Sequence, residues 1–155
     1  MFEGGNRVTK GALPRFSIMN DVVATLSLQL LEVAETLTGT FRYIPSDPWA
    51  VTVELSSHTG ASVTWTFARE LLAQGRYEPV GDGDVHIWPC LGSDASAVVI
   101  LELDPGANGV LLEASAREVN AFVEAALALV PAGTESARLD IDASLARLLS
   151  GSTAA

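Results

Sequence analysis

The chain has 155 residues, 48% of them hydrophobic and 18% charged, with a formal net charge of −10. That size and apolar content suit one domain with its own core, and the composition excludes a disordered chain. A single cysteine, Cys90, excludes an internal disulfide and fits a reducing compartment.

The charge is uneven. Residues 1–20 balance at +2, with Arg7, Lys10 and Arg15 against Glu3, so the remaining 135 residues carry −12. The cations of that body are Arg42, Arg69, Arg76, Arg117, Arg138 and Arg147. Such a surface repels phosphate backbones and anionic headgroups unless its arginines gather on one face. It suits a partner of basic or mixed charge. No uncharged apolar run reaches the length of a membrane span. "VVATLSLQLL" is broken by Thr, Ser and Gln, and no small-x-small cleavage site follows it, so a secretory signal is not expected. A cytoplasmic protein without direct membrane insertion is expected.

Residues 1–20 show neither helical nor strand period and include Gly4, Gly5, Gly11 and Pro14. They are expected to be a flexible extension. From Asp21 the pattern changes. Val22, Ala24, Leu26, Leu28 and Leu30 alternate with a second set, which predicts a half-buried strand. "GTFRYI" predicts a second strand and "PSDP" a turn. Trp49, Val51, Val53 and Leu55 line one face of a third strand, and Val63, Trp65 and Phe67 one face of a fourth. Short turns between them make an antiparallel meander.

"FARELLAQG" predicts one or two helical turns pinned by Leu71 and Leu72, with Gly75 as the C-terminal glycine. "RYEPV" and "DVHIWP" flank "GDG" like the arms of a hairpin. "ASAVVILEL" is apolar on both faces and predicts a central strand covered on both sides. "DPGANG" is turn chemistry, and "VLLEA" a last strand. Ser115 and Glu118 form a capping box, followed by an apolar stripe of Val119, Phe122, Val123, Ala126, Leu127 and Val130. Pro131 and Gly133 stop that helix. Asp142 could cap a second, shorter one through Leu145, Leu148 and Leu149, ended by Gly151. The expected organisation is one α+β domain over residues 21–150 with a flexible tail at 151–155.

Chemistry-bearing residues cluster in "YEPVGDGDVHIWPC", residues 77–90. His86 and Cys90 share a strand face but stand about 13 Å apart by strand rise, too far for one zinc ion without a bend. Asp82 and Asp84 lack the further oxygen ligands of a calcium loop. Gly81-Asp82-Gly83 reads instead as a tight turn needing positive φ. Cys90 with His58 or His86 is the one Cys–His option for a nucleophile, and no G-x-S-x-G elbow or phosphate loop occurs. No enzyme, cofactor or metal is expected. Of the three tryptophans, Trp49 and Trp65 lie on apolar strand faces and are expected in the core. Trp88 is out of phase with Val85 and Ile87, so it is expected to be partly exposed and to offer a partner surface.

Longer blocks carry a family resemblance. "RYIPSDPWAV", residues 42–51, resembles the R-Y-x-x-x-D-P-Y-A-V signature of the SsgA-like proteins, with Trp49 in place of tyrosine. Residues 63–89 are similar to that family's V-x-W-x-F-x-R-[DE]-L-L-x-x-G segment followed by P-x-G-x-G-D-V. Residues 111–135 are similar to its L-x-x-F-L-x-x-T-x-x-x-V-P-x-G-x-E region, and "LDIDASLARLLS" to its C-terminal helix. The departures are Ala125 to Ala128, where the family often has charged and Thr residues, and residues 1–20. The motif residues here are Asp47, Pro48, Trp49, Trp65, Arg69, Leu71, Leu72, Gly75, Gly81, Gly83, Asp84 and Val85. Most read as structural, with Arg69 expected to pair with a carboxylate beneath the short helix.

The resemblance implies a strongly bent antiparallel sheet of about seven to eight strands with packed helices, Whirly-like, in an oligomer such as a trimer. It implies a non-enzymatic regulator of sporulation-specific cell division in actinomycetes, acting at septa in septum-site selection. The implied partners are the tubulin-like division protein FtsZ or another SsgA-like protein. The alternative is a Whirly-like module binding single-stranded nucleic acid, against which the −12 body argues.

Overall fold

Where apolar residues alternate, the chain is extended. The computed structural model describes the backbone of residues 15–18, 20–104 and 109–154, and their side chains except at 15–18, 138–143 and 151–154. The strands are β1 (Arg15–Ile18), β2 (Val22–Leu30), β3 (Glu35–Tyr43), β4 (Ala50–Ser56), β5 (Ser62–Ala68), β6 (Val80–Asp82), β7 (Val85–Leu91), β8 (Ala97–Leu103) and β9 (Val110–Ser115). The helices are α1 (Arg69–Gly75), α2 (Ala116–Leu129) and α3 (Glu135–Ala154). All the described strands join one antiparallel sheet, ordered β5-β4-β3-β2-β9-β8-β7-β6, with β1 added on β2.

That order forces a curl. β3 occupies one edge of β2 along all of Val22–Leu30. β1 and β9 therefore share the other edge, β1 opposite Val22–Thr25 and β9 opposite Gln29 and Leu30. β5 and β6 lie at opposite ends of an eight-strand run, which laid flat would be about 34 Å wide. The chain from Ala68 to Val80 spends seven residues in α1 and reaches at most about 27 Å. The sheet must bend to bring its ends together, and α1 lies against β5, β6 and β7.

The concave face is the core. Val22, Ala24, Leu26 and Leu28 of β2 are buried while Thr25, Ser27 and Gln29 are exposed, so the alternation is realised as expected. α2 lies over this face and buries Val119, Phe122, Val123 and Ala126. Phe122 meets Phe41 edge-on, with ring centroids 5.6 Å apart and planes at 64°, the geometry that the ring quadrupoles favour. β8 is buried on both faces from Val98 to Leu101, as its sequence suggests. Ser115 caps α2, its Oγ accepting from the Glu118 amide at 3.3 Å, and burial pushes the Glu118 carboxyl up. Ser115→Ala should lower the urea-unfolding free energy by about 1 kcal/mol.

Several elements differ from expectation. β3 begins at Glu35, four residues before "GTFRYI", because the 31–34 turn closes directly onto the Leu30–Glu35 pairing, with Ala34 at φ 56°. Residues 15–18 of the expected extension form β1, which pairs the stretch of β2 that β9 leaves open. Residues 1–14 and 19 lie outside the described residues, as do 105–108 of the expected "DPGANG" turn. The helix expected from Asp142 starts seven residues earlier, at Glu135, and runs through the expected tail to Ala154. Gly75 is the last residue of α1 and not a left-handed cap: Arg76 follows in right-handed conformation. A Cβ at Gly75 would sit 2.3 Å from Ile87 Cγ2, so glycine is required for α1 to touch β7.

Candidate functional site: a groove over a buried ion pair

Four elements converge on Arg69, the first residue of α1. Its Nη1 donates to the Tyr43 hydroxyl (3.1 Å) and to the carbonyls of Ala126 (3.1 Å) and Val130 (2.7 Å) at the end of α2. Its Nη2 donates to Glu135 Oε2 at 2.7 Å. The guanidinium also stacks over the Tyr43 ring, 4.9 Å from its centroid, and the Tyr43 hydroxyl donates to the Pro48 carbonyl at 3.1 Å. Glu135 Oε1 accepts from the Gly133 amide at 2.9 Å. The Ala126 carbonyl also accepts from the Val130 amide at 3.1 Å, the Val130 carbonyl lies past the helix end and needs a donor, and a cation there complements the helix dipole. Burial would raise the Glu135 carboxyl. Its own amide, Arg69 and the Gly133 amide outweigh that and hold it below the ordinary carboxylate range. Arg69 thus finds the carboxylate that the sequence suggests, and the partner is Glu135, 66 residues away.

Beside this pair lies a groove of about 510 Å³, lined among others by Trp49, Ala68, Ala73, Leu127 and Ala132, with Glu70 and Gln74 as polar neighbours. Trp49 is 49% exposed at its rim, against the expectation of a core residue. Its phase is right: it lies one step before Ala50 and its carbonyl accepts from the Arg69 amide at 2.7 Å. What differs is cover, because α2 ends at Leu129 and the 131–134 turn leaves the space open. A mostly apolar groove with an exposed indole suits capture of an apolar side chain of a partner, and tryptophan is a frequent binding anchor.

The other expected site residues are dispersed. Trp65 is half-buried on the concave side of β5. Trp88 is half-buried on the outer face of β7, opposite Ile100, whose side chain is buried there. It is not among the residues that line the groove. Asp47 sits in the β3–β4 turn, its amide donating to the Ile44 carbonyl at 3.1 Å. In the β6–β7 hairpin Asp82 pairs with Val85, so the turn residues are Gly83 and Asp84 and not Gly81-Asp82-Gly83. Gly83 has φ 63°, a glycine-first turn that matches strand twist. Gly81 serves otherwise: a Cβ there would lie 2.0 Å from His86 Cδ2, so the imidazole packs over bare backbone.

His86 and Cys90 stay apart along β7, opposite Glu102 and Val98 respectively. His86 Nδ1 is 3.7 Å from Glu102, and Cys90 Sγ donates to the Leu91 carbonyl at 3.5 Å. Among the described residues no three His, Cys, Asp or Glu side chains are grouped to hold a metal. No described helix is long and apolar enough to cross a membrane. Three of the body's six arginines pair with carboxylates: Arg69 with Glu135, Arg76 with Glu124 at 3.0 Å, and Arg42 with Asp21 at 3.1 Å.

Fold and site together define a curled antiparallel sheet whose helical end carries a mostly apolar groove beside a buried ion pair. The chain belongs to the SsgA family: the family model described as "Streptomyces sporulation and cell division protein, SsgA" matches residues 37–135. It is 39% identical over 140 residues to the "Sporulation-specific cell division protein SsgB" of Streptomyces coelicolor, covering 86% of this chain and 100% of that one. It is 37% identical over 135 residues to the protein of the same name from Frankia casuarinae, covering 85% and 94%. A solved SsgA-like sporulation-specific cell division protein from Thermobifida fusca matches with a TM-score of 0.76 and 30% identity, over 84% of this chain and 98% of that chain. A second solved chain, described as "Mutations in SsgB correlate to longitudinal cell division during sporulation of Streptomyces coelicolor", matches with a TM-score of 0.72 and 36% identity, over 79% and 98%.

Proposed function

We propose that this chain is a non-enzymatic adaptor in sporulation-specific cell division. It acts in the cytoplasm at division septa, in septum-site selection and recruitment of FtsZ, through protein contacts and as a homo-oligomer. The observation that carries the reading is the match to the SsgB of Streptomyces coelicolor across that protein's whole length. The groove beside Trp49 supports a binding role, because its polar pair is satisfied internally and its lining is mostly apolar.

The test is complementation in Streptomyces coelicolor lacking its own SsgB, with septa counted by membrane staining. This chain is expected to restore sporulation septa and, as a fluorescent fusion, to gather at them. Normal expression with no septa and a diffuse signal would overturn the reading. Trp49→Ala, at an exposed position, should leave the unfolding midpoint within the range of ordinary surface changes, about 0.5 kcal/mol. It should nonetheless weaken binding to purified FtsZ or a second SsgA-like protein by about tenfold or more, as loss of an aromatic anchor does.

A further inference from the structure

Among the described residues that line the groove beside Trp49, the charged ones are Arg69, Glu70 and Glu135. Arg69 and Glu135 are buried and answer each other at 2.7 Å. Arg69 Nη1 is aimed inward, at Tyr43 and the carbonyls of Ala126 and Val130. Glu135 Oε1 is held by the Gly133 amide. Both groups are committed to the fold. Glu70 differs: it is exposed and has no ion pair among the described residues. The charge that the groove leaves uncompensated is therefore negative.

Helix geometry fixes where that charge stands. Glu70, Ala73 and Gln74 are spaced i, i+3 and i+4, so they share one face of α1, and all three line the groove. Arg76, the next arginine along the chain, is turned to the Ala73 carbonyl and to Glu124 and does not answer Glu70. The rest of the lining is apolar and mostly small, with Ala68, Ala73 and Ala132 beside Leu127, and Trp49 stands half-exposed at the rim. A long basic side chain matches this set of surfaces. Its methylene stem packs on apolar groups while its head stays charged. An indole face attracts a cation more strongly than the other aromatic faces do. Charge around the groove points the same way. Asp47, exposed, precedes Pro48 of the lining. Residues 21–155 together carry −12, a field that draws cations in.

We infer that the groove receives a basic side chain of a partner protein, its stem against Trp49 and Leu127 and its charged head on Glu70. This inference rests on the binding role of the groove in the proposed function and names the chemistry of the partner there. An uncharged apolar side chain would fill the slot and leave Glu70 unanswered. An acidic one would meet like charge.

The test uses the full chain, isotope-labelled, and capped alanine pentapeptides whose central residue is arginine, norleucine or glutamate. The indole N–H signal of Trp49 is followed by NMR and assigned as the one missing from Trp49→Phe. The arginine peptide is expected to shift that signal at concentrations about tenfold or more below those the other two require. Glu70→Gln should remove most of this preference. Glu54→Gln makes the same charge change on the outer face of β4 and should keep it. Both carboxylates are exposed, and unchanged melting would show that the variants fold. Equal responses to arginine and norleucine, or an arginine preference untouched by Glu70→Gln, would overturn the inference and leave the groove as an apolar anchor site. A Trp49 signal that moves with protein concentration alone would put a second copy in the groove and also overturn it. A signal unmoved by all three peptides would overturn both the inference and the binding role of the groove, and septal complementation would still decide the adaptor reading.

Discussion

Replacing Arg69 by leucine is expected to destabilise the protein by about 3–5 kcal/mol, measured by urea unfolding. The guanidinium is buried, and its removal leaves the Glu135 carboxylate without its cation and takes the side-chain donor from the Val130 carbonyl, while the Ala126 carbonyl keeps the Val130 amide at 3.1 Å. Glu135→Gln should cost less, about 1–3 kcal/mol, because an amide oxygen still accepts from Arg69. The double variant Arg69→Leu with Glu135→Leu should cost less than the two single leucine substitutions summed, because no charge is then left alone. Strict additivity would mean that the pair is not energetically coupled.

The same pair sets a pH dependence. Glu135 titrates below its ordinary range in the folded protein, so folding favours its charged form. Its contribution is fully present above the ordinary glutamate value, about 4.3. It is lost as pH falls below that value and through the lower folded one. Urea midpoints of the wild type should therefore drop from about pH 4.3 downward more steeply than those of Glu135→Gln. Parallel curves would remove Glu135 as a source of acid sensitivity.

Gly75→Ala is expected to destabilise by about 1–3 kcal/mol, although alanine is the better helix former by about 1 kcal/mol. The clash decides the sign. The new methyl would meet Ile87 Cγ2 at 2.3 Å and Ile87 Cβ at 2.6 Å, and Cβ is fixed to the backbone of β7 and cannot swing away. Ile87→Ala alone should cost about 2–5 kcal/mol as a cavity. Combined with Gly75→Ala it should cost less than the sum, because each change makes room for the other. A Gly75→Ala protein more stable than wild type would show that α1 can shift off β7.

The strands most readable in the sequence are those buried on one face. β2 and β4 alternate because each successive side chain points to the opposite side of the sheet, and one side of each is buried in the core. β8 was readable as a doubly covered strand from its run of branched residues. The Ser115 cap and the stripe of α2 are likewise local signals. β1 left no trace in period, because its place depends on an edge of β2 that β9 vacates. Gly75 and Gly81 resemble turn glycines in sequence. Each is required instead by a side chain from another strand, Ile87 in one case and His86 in the other.

The site was partly readable. The family signature singles out Pro48, Trp49 and Arg69, and Arg69 was expected to find a carboxylate. That the carboxylate is Glu135 follows only once α3 starts beside the end of α2. Trp49 shows the limit most clearly. Alternation places it on the apolar face, and that face is correct. Exposure depends on what stands across from it, and there the helices leave a groove.

The sequence by itself determined which residues face inward along β2 and β4, that β8 is covered on both faces, the cap and stripe of α2, and the family to which the chain belongs. These follow from backbone periodicity and from ordered blocks of residues, both local along the chain. Only the tertiary structure decided how far the sheet curls, which carboxylate meets Arg69, and that Trp49 stands open. Those outcomes depend on contacts between residues distant in sequence, whose geometry is settled when the elements pack.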